Sequence, residues 1–148
     1  MKCNAKAVFV SALLMTLSQV VFANSYEEYK VKVKECIAVE EQKAPLTVSD
    51  ISDLSVDDVE KYVLFLKDMR IQRCSANEEL AALADEISSM ESVESKLMEQ
   101  RYLSVYLKAQ MHDLSSEEKL MLTQLDNRLQ QKGLEVNMLE IVDELKNQ

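Results

Sequence analysis

The sequence predicts an all-α protein, a compact bundle of five or six helices stapled by one disulfide. The chain of 148 residues contains one glycine and one proline, which are too few turn-forming residues for a β-rich domain. Apolar residues recur every three or four positions along most of its length, which is typical of amphipathic helices. Two cysteines, Cys36 and Cys74, lie within these helical patterns. The sequence contains no internal repeat or linker, so residues 24–148 are predicted to form a single all-helical domain.

The first 23 residues have the pattern of a secretory signal peptide. Lys2 and Lys6 give a basic start, an apolar run covers residues 7–22, and the expected cleavage site follows Ala23. A retained membrane anchor is the competing interpretation, but the run is short and contains several polar residues. The sequence therefore predicts an exported chain, periplasmic or secreted, with no membrane anchor after cleavage.

The charge of the chain excludes some classes of partner. Its 17 lysines and arginines against 26 aspartates and glutamates give a net charge of −9. Cleavage after Ala23 would remove two lysines and no acid, which would change the charge from −9 to −11. So acidic a surface repels nucleic acid and anionic lipid and gains nothing from counterion release at phosphates. The expected partner is a protein, whose identity the sequence does not give.

The cysteines predict the disulfide. Cys3 would leave with the signal peptide, so Cys36 and Cys74 would remain as an even pair in an oxidising compartment. The alternatives are a redox thiol or half of a metal site, but the sequence has no CxxC motif and its one histidine, His112, is distant. A bond closing a loop of about 38 residues would stabilise the fold by roughly 4 kcal/mol.

The first helix is predicted to begin at Ser25, which forms a capping box with Glu28. It should end before Pro45, and Thr47 is expected to cap a single short turn after it. The apolar stripe of this helix carries the first cysteine and consists of Tyr26, Tyr29, Val33, Cys36 and Ile37.

Two further helices are predicted between residues 55 and 90. Ser55 with Asp58 opens a helix that should run to about Cys74. Ser75 with Glu78 repeats the capping pattern, so a new helix is expected to begin there. The stripe of this new helix consists of Leu80, Leu83, Ala84, Ile87 and Met90. The apolar pattern then changes register, so residues 76–111 form either one bent helix or two.

The C-terminal part has clear helix boundaries. Ser115 with Glu118 opens one helix. Gly133 is expected to end it as the glycine just past the helix terminus, with Leu134 in the hydrophobic contact of a Schellman motif. Asn137 caps a final short helix. Helices on such short connections make a compact bundle.

The sequence contains no recognisable catalytic, cofactor-binding or metal-binding constellation. His112 precedes Asp113, but no nucleophile stands in a known motif. The paired acids fall mostly in the first turns of predicted helices, where they complement the helix dipole. The acidic residues 50–58 lack the glycine and the ligand spacing of a calcium loop. Arg70 and Arg73 are expected to neutralise nearby acids rather than bind an anion. We therefore predict no enzyme activity, no metal and no cofactor.

One segment predicts an interaction surface. Residues 96–111 are apolar on more than one side, so one side can serve the core while another meets a partner helix, a peptide or a second copy of the chain. The predicted surface consists of Met98, Tyr102, Val105 and Tyr106. The alternative is that this helix is central and covered all round.

These observations favour a function by protein–protein binding, as an adaptor, inhibitor or assembly factor. A periplasmic chaperone or stress protein that holds unfolded clients is the alternative, since an apolar face bordered by acids suits either role. A third interpretation, an enzyme that uses Asp, Glu or a metal ion, has no motif in its favour. Assembly into a homo-oligomer stays open.

Overall fold

The computed structural model describes residues 25–90 and 95–147, so the predicted signal peptide and its cleavage site lie outside the described residues. The all-α prediction is confirmed: the described part forms six α-helices, a short 3₁₀-helix (Val48–Asp50) and two strands of two residues each. None of these helices is both long enough and apolar enough to cross a membrane. In chain order the elements are α1 (Ser25–Glu41), β1 (Ala44–Pro45), α2 (Val56–Ser89), α3 (Ser95–Arg101), α4 (Leu103–Asp113), α5 (Ser116–Arg128), β2 (Lys132–Gly133) and α6 (Met138–Lys146).

Helix α2 is the central element because both apolar clusters pack against it. One cluster surrounds Val59 and Leu66 and takes residues from the 3₁₀ segment, α5 and α6. The other surrounds Ala82 and takes Tyr29 from α1 and Tyr102 from the junction of α3 and α4. Burial of this apolar surface drives the helices together, and α2 is long enough to serve both clusters.

Helix α1 runs antiparallel along α2, and the predicted disulfide between them is confirmed. The Sγ atoms of Cys36 and Cys74 are 2.05 Å apart, and their Cα atoms are 6.0 Å apart. One turn further along α1, Glu40 pairs with Arg70, which lies one turn earlier on α2. The covalent bond closes a loop spanning 38 residues. By lowering the entropy of the unfolded chain, it raises the free energy of unfolding by about 4 kcal/mol.

Most of the predicted helix starts are confirmed. The Ser55 side chain accepts a hydrogen bond from the Asp58 N–H at 3.1 Å, and Ser115 makes a complete capping box with Glu118. Asn137 accepts a hydrogen bond from the backbone at the start of α6. The single short turn expected before the second long helix is the 3₁₀-helix. These caps satisfy N–H groups that a helix start otherwise leaves without partners.

The predicted helix start at Ser75 is wrong. Helix α2 continues through this position to Ser89, and the buried Ser75 hydroxyl donates to the Ile71 carbonyl at 2.9 Å. A serine inside a helix satisfies its hydroxyl in this way, so the capping pattern alone does not require a break. Within the described parts of residues 76–111, the end of α2 is followed by α3 and α4, so neither one bent helix nor two accounts for this stretch.

The apolar stripe predicted for the helix that was to begin at Ser75 is also wrong for three of its five residues. Leu80, which is 67% exposed, Ala84 and Ile87 face away from the core and are called the outer stripe here. The inward face instead carries Glu79 and Ala82, which are both buried. Helix α2 has this orientation because the Glu79 carboxylate accepts hydrogen bonds from groups in the interior, which are described below.

Gly133 does not end a helix. Helix α5 stops at Arg128, and Gly133 has a negative φ and pairs with Pro45 in the short parallel β1–β2 ladder. A Cβ at this position would lie 2.4 Å from the Glu40 carbonyl oxygen, so the residue is glycine because the backbones approach closely. Leu134 is buried in the first apolar cluster rather than in a Schellman contact.

Candidate functional site

The predicted interaction surface is corrected in two of its four members. Met98 and Tyr102 are buried, Tyr102 to 1% exposure, so they belong to the core. The Tyr102 ring stacks on Tyr29 with centroids 5.8 Å apart, and its hydroxyl donates to the Ala82 carbonyl at 3.2 Å and to Glu86. Burial and the Glu86 charge raise the pKa of Tyr102. A tyrosine whose polar end finds partners inside the protein can be covered completely.

The other two members lie nearer the surface. Val105 is half-buried against the second apolar cluster, and Tyr106 is 36% exposed. Helix α4, which carries both residues, is therefore not covered on all sides. The side that it exposes is not the one that the sequence predicts. Tyr106 alone remains available as part of a binding surface.

A buried carboxylate caps α4 from a neighbouring helix. Glu79 of α2 accepts the Ser104 N–H at 2.7 Å and the Tyr29 hydroxyl at 3.3 Å, and Tyr29 in turn accepts the Leu103 N–H at 3.3 Å. The second Glu79 oxygen accepts a hydrogen bond from Gln72 at 3.2 Å. Burial and the neighbouring Glu79 charge raise the pKa of Tyr29 to about 12, although the Leu103 hydrogen bond acts in the opposite direction. This network binds helices together and leaves no reactive group free.

A buried arginine joins α2 to the end of α1, to α5 and to β2. The Arg70 guanidinium donates to Asp126 at 3.0 Å, to the Lys132 carbonyl at 2.8 Å and to Glu40 at 3.4 Å. Arg73 pairs with the other Asp126 oxygen at 2.7 Å. Burial raises the pKa of Asp126, but the hydrogen bonds from Arg73 and Arg70 outweigh it and the net shift is downward. The expectation that these arginines neutralise nearby acids is confirmed.

The remaining chemical candidates stand in open solvent. His112 and Asp113 are 3.5 Å apart, with side chains that are almost fully exposed. Within residues 25–90 and 95–147, no three His, Cys, Asp or Glu side chains are grouped as metal ligands would be.

A groove between α2 and α4 has a different character. Its volume is ≈ 260 Å³, which is smaller than the roughly 300–1,000 Å³ of pockets that hold small molecules. Leu64 is 44% exposed and Tyr106 36% exposed, so two large apolar side chains meet solvent at the same place. The residues that line this α2–α4 groove include Leu64, Phe65, Asp68, Tyr106, Gln110 and Leu114.

Asp68 gives the groove its polar centre. Its side chain is half-buried, and no hydrogen-bond or ion-pair partner for its carboxylate occurs among the described residues. Burial raises the pKa of Asp68, Lys67 counteracts this in part, and the Glu135 charge adds to the rise. Lys67 is itself paired with Glu135 at 2.9 Å. The groove therefore combines apolar walls with an uncompensated carboxylate, an arrangement that can hold a cationic side chain.

Only part of this site was accessible from the sequence. Tyr106 belonged to the predicted surface, whereas Leu64 and Asp68 did not. Their spacing of four residues puts them on one side of α2, but apolar neighbours on every side of this segment conceal which side faces solvent. The approach of α4, which completes the groove, depends on contacts between distant parts of the chain.

Comparisons with protein-family models, with curated protein sequences and with solved structures find no match to this chain.

Proposed function

We propose that this protein is exported and acts by binding another protein through the α2–α4 groove, as an adaptor, inhibitor or assembly factor. The observation that carries the proposal is the exposure of Leu64 and Tyr106 beside the unpaired Asp68 carboxylate. Exposed tyrosines suit protein interfaces because they combine a large apolar area with a hydroxyl group. A half-buried charge that has no ion-pair partner is unfavourable, and a cation on a bound protein would remove this cost.

The state of the interior polar groups also supports binding over catalysis. Glu79 and Asp126 each accept two hydrogen bonds from neighbouring helices, and these bonds offset the cost of their burial. A general acid or base needs a free position beside a substrate. Neither of these carboxylates lines the α2–α4 groove, so neither supplies a general acid or base there.

Export is supported by the Cys36–Cys74 disulfide. Disulfides persist in the periplasm and outside the cell, whereas cytosolic thiols are kept reduced. We therefore place the mature protein in the periplasm or outside the cell, with cleavage after Ala23.

A chaperone that holds unfolded clients is the second candidate, and the outer stripe favours it. Leu80 and Ile87 are both largely exposed on the same side of α2, and an apolar patch of this kind can hold unfolded segments. This function predicts many clients and suppression of client aggregation at near-stoichiometric amounts. Serine at Leu80 and Ile87 would then abolish that suppression, while changes in the groove would not.

Site-specific photo-cross-linking in the cells that make the protein tests the proposal. A benzophenone amino acid would replace Tyr106 in the groove, and in the control it would replace Leu139, which is 77% exposed on α6. One dominant adduct from position 106, absent from position 139 and lost when Leu64→Asp is added, would support binding through the groove. The same amino acid would also replace Leu80 in the outer stripe, where adducts with many proteins would favour the chaperone instead. A folded, abundant variant with no adduct at position 106 would contradict the proposed site.

A further inference from the structure

We propose that the partner inserts a lysine or arginine side chain, adjacent to an apolar residue of its own, into the α2–α4 groove, where the charge pairs with Asp68. This inference rests on the proposed function and names the chemistry of the partner. The proposed occupant is a basic segment of another protein.

Asp68 lacks the donors that three other inward-facing acids of this protein have. Glu40, Glu79 and Asp126 each accept hydrogen bonds from a cationic or N–H donor. Asp68 is half-buried and has no such donor in the described ranges. Removing a carboxylate from water without compensation is unfavourable, so buried charges are generally paired. A cation supplied from outside would remove this imbalance.

The lysines nearest to the groove are already engaged. Lys61 lines the groove, but its ammonium group binds Glu118 at 2.5 Å and lies 5.0 Å from the centre of the Tyr62 ring. Lys67 immediately precedes Asp68 on α2, and its ammonium group binds Glu135. Each would have to abandon an existing ion pair to neutralise Asp68. The compensating charge is therefore assigned to the partner.

The walls of the groove suit a long basic side chain. Leu64, Phe65 and Tyr106 offer apolar surface to the methylene groups of lysine or arginine, whose charged end can remain at the carboxylate. The exposed Tyr106 ring can add a cation–π contact. A volume of ≈ 260 Å³ accommodates one or two side chains rather than a cofactor.

The overall charge argues for a partner other than a second copy. The chain has a net charge of −9, so two copies repel each other, whereas a basic segment is attracted and steered toward the groove. The Asp68 carboxylate would then fix the position of that segment. Charge complementarity thus selects a basic protein as the occupant.

The test uses two blocked dipeptides as probes, acetyl-Leu-Arg-amide and acetyl-Leu-citrulline-amide, which differ chiefly in charge. Backbone amide NMR shifts of the oxidised protein would be followed during titration with each. We expect shifts at Leu64, Asp68 and Tyr106, with binding of the arginine peptide about tenfold tighter, a difference of about 1.4 kcal/mol. In Asp68→Asn this preference should disappear. In the matched control Asp85→Asn, which removes an exposed acid elsewhere on α2, it should persist.

The outcomes separate this inference from the proposed function. Equal binding of both peptides, or a preference that survives Asp68→Asn, would overturn the role of Asp68 and leave the groove as a binding site. No shift with either peptide, together with a partner cross-linked at position 106, would overturn the basic-side-chain chemistry alone. No shift and no cross-link would overturn both.

Discussion

Replacing Arg70 with methionine is expected to destabilise the protein strongly. The Arg70 side chain is 7% exposed and donates to Asp126, Glu40 and the Lys132 carbonyl. Methionine preserves much of the apolar stem but leaves two acids and a carbonyl without their shared donor. Removing one partner of a buried charge pair typically costs about 3–5 kcal/mol. That is a large share of the roughly 5–15 kcal/mol that stabilise a domain.

Arg73→Met provides a matched control on the same acid. Arg73 also binds Asp126, but its side chain is 53% exposed. Exposed ion pairs contribute about 0.2–1 kcal/mol, so this variant should be only slightly less stable than the parent. Urea unfolding followed by far-UV circular dichroism measures both. With a slope of about 2 kcal/mol per molar urea, the midpoint of Arg70→Met should fall by roughly 2 M.

Comparing the two variants tests whether burial determines how much each arginine contributes to stability. Equal losses in Arg70→Met and Arg73→Met would refute the reasoning, because burial would then make no difference to the contribution of each arginine. A change in the slope of the unfolding transition would mean that compactness, and not the ion network alone, had changed. The disulfide is kept intact in both proteins so that α1 stays attached to α2.

Three further outcomes follow from the structure. Replacing both disulfide cysteines with serine should lower the free energy of unfolding by about 4 kcal/mol, measured by urea unfolding, and an unchanged midpoint would contradict this. Gly133→Ala should destabilise by about 1–3 kcal/mol, because its Cβ would lie 2.4 Å from the Glu40 carbonyl oxygen; thermal unfolding at the parent's Tm would argue against that close approach. The Lys61 and Ser115 hydrogen bonds lower the pKa of Glu118 to about 2, below its ordinary 4.5, so its stabilising effect is present above pH 4.5 and is lost as the pH falls toward 2. Carbon-13 NMR should find that carboxyl titrating near pH 2 in the parent and higher in Lys61→Met, whereas identical midpoints would exclude the proposed cause.

The sequence predicts the helices of this fold better than the faces that they bury. Start signals such as Ser55 and Ser115 act through neighbouring backbone groups, so they can be recognised locally. Ser75 has the same pattern but lies inside α2, where its hydroxyl binds the preceding turn. The inward position of Glu79 depends on free N–H groups at the start of α4, far along the chain. Sequence spacing contains no information about such a distant partner.

The candidate site shows the same limit. The sequence predicts Tyr102 and Tyr106 as surface residues together, because they lie one turn apart and each combines apolar area with a polar hydroxyl. Only Tyr106 is exposed, since the Tyr102 hydroxyl has partners at Ala82 and Glu86 that the sequence does not reveal. Gly133 was expected to have the backbone conformation of a helix end, but a close approach of two backbones explains it. In each case the deciding contact is non-local.

The choice between the groove and the outer stripe as the principal binding surface depends on what each would gain from a partner. The outer stripe exposes Leu80 and Ile87, but exposed apolar side chains are common on stable monomers and do not by themselves require a partner. The α2–α4 groove adds Asp68, a half-buried carboxylate without a donor among the residues that the structure describes. A half-buried carboxylate without a donor lowers stability, and a local arrangement of this kind is typical of a functional site. A partner that covered only the outer stripe would leave the Asp68 carboxylate without a compensating charge. A cationic partner therefore gains more binding free energy at the α2–α4 groove than at the outer stripe.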